Sequence, residues 1–331
     1  MLRKRIPNLS LLVIFIALLV LMTILNPQRF PTFGNLRSMA YQFPILGFLS
    51  LAMMMAMLSG GINLSIVATA NFTGIVTAVT LRLLTNGATV EAGVGAILLA
   101  MLAGLLGALL VGLINGLLIS VLEIPSILAT LGMMTLLDGV NIVVTQGYTI
   151  SGFPRMLTFI GNGRLLGVPF AFLLFVVLAL ILMKILGRTA FGFSLYMLGS
   201  NYTAAQYSNI NNRSVVIREY LLSATFSAVT AYVMMGQLNS VKANYAESYL
   251  LVAVLACFLG GINPFGGKGT LSGLVISVAI LQVIATGLNL FRVDPFFVRA
   301  MWGFIIIVVI AANHFGGVLR ERRRLAEQSS Q

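Results

Sequence analysis

The chain has 331 residues, of which 59% are hydrophobic and only 8% charged, against roughly 25% charged in soluble domains. Its mean hydropathy is +1.02, more apolar surface than a soluble core of this length hides, so the bilayer must take the excess. The formal charge of +12 does not mark a nucleic-acid binder, because the basic residues are spread along the chain and cluster only at its two ends.

Arg3, Lys4 and Arg5 open the chain and Arg320, Arg322, Arg323 and Arg324 close it, which reads as cytoplasmic anchoring. The apolar stretch Leu9 to Leu25 behind that basic start imitates a signal peptide. It is longer than a usual h-region and no small-x-small site precedes Asn26 and Pro27, so a first span that stays attached is expected. At about 20 apolar residues per crossing, ten candidate spans follow: 9–25, 43–58, 64–84, 94–122, 126–144, 166–183, 220–235, 249–259, 271–290 and 296–312. The expected fold is therefore all-α, a polytopic membrane protein of about ten transmembrane helices forming a single domain. An even count from a cytoplasmic N-terminus returns the C-terminus to the cytoplasm, with twelve basic residues inside against eight outside.

Taken in chain order, the polar exceptions to this pattern carry the functional argument. Gly60-Gly61-Ile62-Asn63 ends one apolar segment and recurs as Gly260-Gly261-Ile262-Asn263 after another; paired interruptions point to repeated transporter architecture, yet both copies fall on one side, where an inverted repeat would oppose them. Ser65, Thr69, Thr73 and Thr77 share one helix face, with Asn63 at its start and Asn71 beside it; such neutral groups suit either sugar passage or helix stitching. Met53, Met54, Met55 and Met57 fill packing gaps. Glu123 and Lys184 sit at helix ends, where they snorkel or cap. Asp138, near mid-span, is a candidate either for the solute path or for a structural bond to a neighbouring helix.

The longest internal polar stretch, 187–219, holds Arg188, Arg213 and Arg218; it is too polar to span and too rich in alanine and amphipathic spacing for a plain linker. Tyr245, Tyr249, Phe296 and Trp302 read as an interfacial aromatic belt. The candidate at 249–259 is short and runs into Gly260, Gly261, Gly266, Gly267 and Gly269, so a protein-buried, broken segment is expected there. Its Cys257 reads as a small buried hydrophobe.

Catalytic chemistry is scarce. Gly266-Gly267-Lys268-Gly269-Thr270 imitates a phosphate loop but places Gly269 where Ser or Thr is required. The single histidine, His314, has no acidic or thiol partner at ligand spacing, so no metal site is expected. No general base with an orienting partner is apparent, which argues against a membrane-embedded enzyme.

Four stretches, in this order and spacing, resemble the permease subunits of ABC importers for ribose, galactosides, xylose and related solutes, with branched-chain amino-acid permeases as more distant relatives. They are Leu58-Ser-Gly-Gly-Ile-Asn-Leu-Ser65, Ile124-Pro125 through Ala129-Thr-Leu-Gly-Met133, Gly199 to Asn211, and Leu259 to Thr270. The resemblance implies a type II ABC importer permease fold in the cytoplasmic (inner) membrane, surrounded by lipid and with both termini cytoplasmic. It implies that Asn201, Ala204, Ala205, Ser208, Ile210 and Asn211 belong to a cytoplasmic coupling helix that seats on an ATPase. ATP and magnesium would then sit on that ATPase and no cofactor on this chain, while an extracytoplasmic binding protein delivers the solute and a second, like or similar, permease chain completes the pathway.

Three positions depart from the family pattern: Asn63 stands for an aspartate, Asp138 for an arginine and Asn209 for a glycine. If the family's acid and base lie side by side, Asn63→Asp alone impairs transport and adding Asp138→Arg restores it. The alternative reading, an ion-coupled secondary transporter or channel, predicts transport without any ATPase.

Overall fold

The computed structural model describes residues 8–294 and 296–308; the basic termini, His314 and the end of the last candidate span lie outside them. The order is α1 Leu9–Leu25, α2 Phe33–Leu58, α3 Ile66–Leu84, α4 Val94–Ser120, α5 Ser126–Thr145, β1 Ile150–Ser151, α6 Arg155–Asn162, β2 Arg164–Leu165, β3 Val168–Pro169, α7 Phe170–Arg188, α8 Ala190–Ser200, α9 Tyr202–Tyr207, α10 Asn212–Leu238, β4 Ser240–Val241, α11 Tyr249–Leu259 and α12 Leu271–Leu290, then α13 Phe296–Val308. Seven of these helices are long and apolar enough to cross a membrane. The chain is an all-α polytopic membrane protein; its four strands are two-residue clips.

Two helices form the axis. α2 runs 26 residues, about 39 Å at 1.5 Å per residue, and its sixteen residues from Phe43 to Leu58 are all buried. The methionines 53, 54, 55 and 57 are wholly inside. α10 packs against α2, α3, α4 and α6. On α4, Ala100, Gly104, Ala108, Gly112 and Gly116 fall on one buried face at four-residue spacing; Gly104 meets Thr73 and Thr77 of α3, while Gly112 and Gly116 meet α10, so that backbones approach closely, as small residues permit in membranes. A Cβ on Gly112 would lie 2.7 Å from the Tyr220 carbonyl oxygen, and one on Gly116 2.9 Å from the Ile217 Cα. The outer faces of α4, α5 and α7 remain apolar and exposed, the surface that hydrocarbon covers.

The connections sort to two ends. At one, β1 pairs with β4, Thr89 Oγ1 donates to the Gly152 carbonyl at 2.6 Å, and Tyr41 meets Asn162 and Arg164. At the other, Asn8 Nδ2 donates to Thr270 and Ser272, and the loops after α2, α8 and α11 meet.

Three expected boundaries change. The second span begins at Phe33 rather than residue 43, because a Thr32 cap starts the helix at 3.2 Å from the Asn35 N–H, and its first turns carry Asn35, Arg37 and Gln42 that depress hydropathy without breaking the helix. The 187–219 stretch is not a loop: α8, α9 and the first two turns of α10 occupy it, each start capped by Thr189, Asn201 or Asn211. The connection between α5 and α7 folds into α6 and a β2–β3 hairpin, with Gly161 and Gly236 in backbone contact where α6 crosses α10.

The candidate at 249–259 folds as one short helix, α11. α11 has 11 residues, about 16 Å, half of a 30 Å hydrocarbon core. The chain before it, 239–248, is irregular apart from β4, and Asn71 answers two of its carbonyls: Nδ2 donates to Ala243 at 2.8 Å and Tyr245 at 3.0 Å. Replacing Gly112 by valine is expected to destabilise the purified protein by about 1–3 kcal/mol through overpacking, read as a lowered melting temperature in detergent. Gly95→Ala, at a position with no neighbour within 4 Å, should leave it unchanged.

Candidate functional site

The glycine motifs, far apart in sequence, converge on the last turn of α2. The Gly267 N–H donates to the Leu58 carbonyl at 2.9 Å. Gly199, at the end of α8, packs so tightly there that a Cβ would collide with the Leu58 oxygen and the Gly267 nitrogen. Gly266 (φ +88°) lies against Gly199 and Gly60, and Gly60 (φ +94°) against the Phe265 carbonyl. Left-handed backbone and contact this close both demand glycine.

The echoed tetrapeptides also explain themselves. Each ends a helix with a left-handed glycine, Gly60 after α2 and Gly261 after α11, and each asparagine closes a turn through its own side chain. Asn63 Oδ1 accepts from the Ser65 N–H at 3.1 Å, and Asn263 Oδ1 from the Phe265 N–H at 3.2 Å. Both copies lie at the same end; a shared local solution for stopping a helix accounts for the repeat. Gly269 (φ +154°) sits on Ile262 and Leu58 at the exit of this junction.

Around the junction the 59–65 loop is stitched by side chains from three helices. Ser126 Oγ accepts from the Ile62 N–H, Thr130 Oγ1 accepts from the Leu64 N–H, and Thr130 Oγ1 donates to the Ile62 carbonyl. Asn63 Nδ2 donates to Ser223 Oγ at 2.9 Å, and Asn115 Nδ2 to Ser65 Oγ at 3.0 Å. Thr73 and Thr77 return their hydroxyls to Thr69 and Thr73 carbonyls within α3. Asn63, Ser65, Asn71 and Thr73 are all buried and bonded to protein in this chain.

Asn63 and Asp138 do not meet. Asn63 lies level with Ser126 and Thr130, while Asp138 stands eight residues beyond Thr130 on α5, about 12 Å along the axis. That separation does not support the acid–base pairing expected from sequence.

The segment after α8 has a clear internal logic. Asn201 Oδ1 accepts from the Ala204 N–H and caps α9; Ala205 is fully buried beneath it; Ile210 packs on the core. Asn211 caps α10 by accepting from the Ser214 N–H at 3.1 Å. Asn209 stops α9 in left-handed conformation, φ +59°, and asparagine is the side-chain-bearing residue that tolerates it best; its substitution for glycine keeps the turn. Ala204 and Ser208 are exposed, as are Tyr202 and, at 89%, Tyr207. The two tyrosines, the largest exposed side chains of α9, carry no periodicity or motif signal that marks them in sequence.

Sequence reasoning also missed two features. Glu219 belongs to α10, not to a solvated loop, and is wholly buried; Ser59 Oγ lies 2.6 Å from its Oε1. A cavity of about 450 Å³, lined by polar and apolar groups alike, opens at the other end, between α2, the irregular segment, α12 and α13, with Gln42, Asn244, Glu247, Gln282, Arg299 and Trp302 in its wall. Gln282 Nε2 donates to Gln42 Oε1 at 3.2 Å. Tyr249, Phe296 and Trp302, read above as belt residues, line this cavity, and Ala246 beside them holds a left-handed φ of +58°.

Because Asn63 and Asp138 share no partner, a double-mutant cycle of Asn63→Asp and Asp138→Arg on transport rate should show effects that add within about 0.5 kcal/mol. Rescue of one by the other would restore the pairing.

A family model described as branched-chain amino acid transport system / permease component matches residues 35–310. The probable ABC transporter permease YphD of Escherichia coli K12 is 34% identical over 94% of this chain and 90% of its own length. The ribose import permease RbsC of Bacillus subtilis 168 is 32% identical over 88% of each chain, and that of Escherichia coli K12 28% over 90% and 92%. No solved structure matches. With a family match over most of its length and relatives this similar along nearly all of it, the chain belongs to the branched-chain amino acid transport system / permease component family, the membrane-spanning permeases of ABC transporters.

Proposed function

We propose that this chain is the translocating subunit of an ABC importer for a monosaccharide, with the α9 end in the cytoplasm and the cavity facing outward. The observation that carries the reading is the convergence of Gly60, Gly199, Gly266 and Gly267 on the Leu58 carbonyl. It seats the α8–α9 junction directly on the end of the membrane-long helix α2, whose far half reaches the cavity at Gln42 and Leu46. A push on α9 from a soluble partner is thereby delivered to the solute-facing end.

In this reading Tyr202 and Tyr207 face an ATPase subunit, which holds ATP and magnesium, while Asn201, Ala205, Ile210 and Asn211 fix the shape of the helix that meets it. An external binding protein docks on the opposite end, and a second copy or a similar chain completes the pathway. Sugar as cargo is supported by the ribose-importing relatives and by the cavity itself. Its amides both donate and accept, as hydroxyls require, and Trp302 offers an apolar face for ring carbons.

Proteoliposomes holding this chain with its ATPase subunit and binding protein should take up labelled ribose or another pentose or hexose only when ATP is inside. Uptake by the chain alone down an ion gradient would support the secondary-transporter reading instead, and uptake of leucine but no sugar would reassign the cargo. Gln282→Ala and Glu247→Gln should raise the half-saturating concentration about tenfold, the loss of roughly one charge-assisted hydrogen bond, without lowering basal ATP hydrolysis.

A further inference from the structure

Glu219 is the one fully buried acid among the described residues, and ionisable groups at membrane depth are costly enough to call for a reason. An apolar side chain would fill its place more cheaply. Its Oε1 meets Ser59 Oγ at 2.6 Å, whereas Oε2 has no hydrogen-bond partner among the described residues. Ser59 Oγ also lies 2.9 Å from the Ala56 carbonyl, so a single hydroxyl proton serves two acceptors. The contact can therefore be made and unmade by a rotation of one small side chain.

Its position gives that property a use. Ser59 is the C-cap of α2, next to Gly60, and Glu219 is on the second turn of α10, just beyond the α9 unit. The last turn of α2 is thus held twice: just before α9 by backbone packing of Gly199 and Gly267, and after α9 by Ser59 and Glu219. The first grip is a fixed backbone contact. The second depends on one hydrogen bond, with an unused carboxyl oxygen beside it.

We infer that the Ser59–Glu219 pair is a releasable latch between α10 and α2, and that Glu219 is a positioning residue setting how tightly movement of the α9 unit is tied to solute passage. This rests on the coupling role proposed above.

The test compares wild type, Glu219→Gln and the double variant Ser59→Ala/Glu219→Leu in the reconstituted complex, reading melting temperature, ATP hydrolysis and solute taken up per ATP. Because the double variant removes both polar partners together, its melting temperature should be unchanged or higher. Its uptake per ATP should fall about fivefold, the equivalent of one hydrogen bond. Glu219→Gln keeps an acceptor for Ser59 and should stay within about twofold of wild type. A double variant with wild-type uptake per ATP overturns the latch. So does one that melts early and loses uptake and hydrolysis together, since the pair is then structural, and so does a glutamine variant as uncoupled as the double. Wild-type uptake without ATP would instead remove the coupling reading, which separates the two failures.

Discussion

The hydrogen bond from the Gly267 amide to the Leu58 carbonyl is the contact on which the architecture depends. In hydrocarbon no backbone group is left to water, so a chain that stops a helix inside the membrane boundary must find its partners in protein. α11 stops after 11 residues, and the loop behind it solves the problem by donating back to the end of α2. Glycine is forced at 60, 199, 266 and 267 because three backbones share a space that holds no Cβ. The same demand at the other side of α11 places Asn71 under the irregular 239–248 segment, where one amide answers two carbonyls.

From that contact the functional layout follows. α2 is long, buried and stitched at one end to the α8–α9 unit and at the other to the cavity, so the two ends cannot move independently without breaking packed contacts. α10 runs beside it, held to α4 by a stripe of small residues, and carries the capped start that fixes α9. Tyr202 and Tyr207 face outward from this frame at one end, and Gln42, Glu247, Gln282 and Arg299 line the cavity at the other. A permease that takes its energy from a separate chain needs such a frame, with a docking element and a solute cavity joined by a stiff element.

The helix inventory was legible because bilayer thickness writes itself into apolar run length: nearly every span begins or ends within a few residues of its expected place. The glycine clusters were legible as breaks, and the 187–219 stretch as something more than a linker. What the sequence hid is what depends on the third dimension. Hydropathy could not see that Asn35, Arg37 and Gln42 ride on helix α2, nor that Glu219 turns inward while Arg218 beside it stays exposed. The Ser65–Thr77 stripe reads in sequence as pathway or, more commonly, as stitching, and its partners, each a carbonyl or a side chain within the protein, are visible only in the folded chain. The cavity was invisible because its residues come from four separate segments, and its aromatic members satisfy the belt pattern just as well.

The account stands or falls on which face of the membrane carries α9. Single cysteines at Tyr207 and at Leu166, the latter 99% exposed at the opposite end, can be labelled with a membrane-impermeant maleimide in intact cells and in inverted vesicles, since native Cys257 is buried. The account predicts that the cysteine at 207 reacts only in inverted vesicles and is shielded by the ATPase subunit, while the one at 166 reacts only in intact cells. Labelling of position 207 from the outside would contradict it.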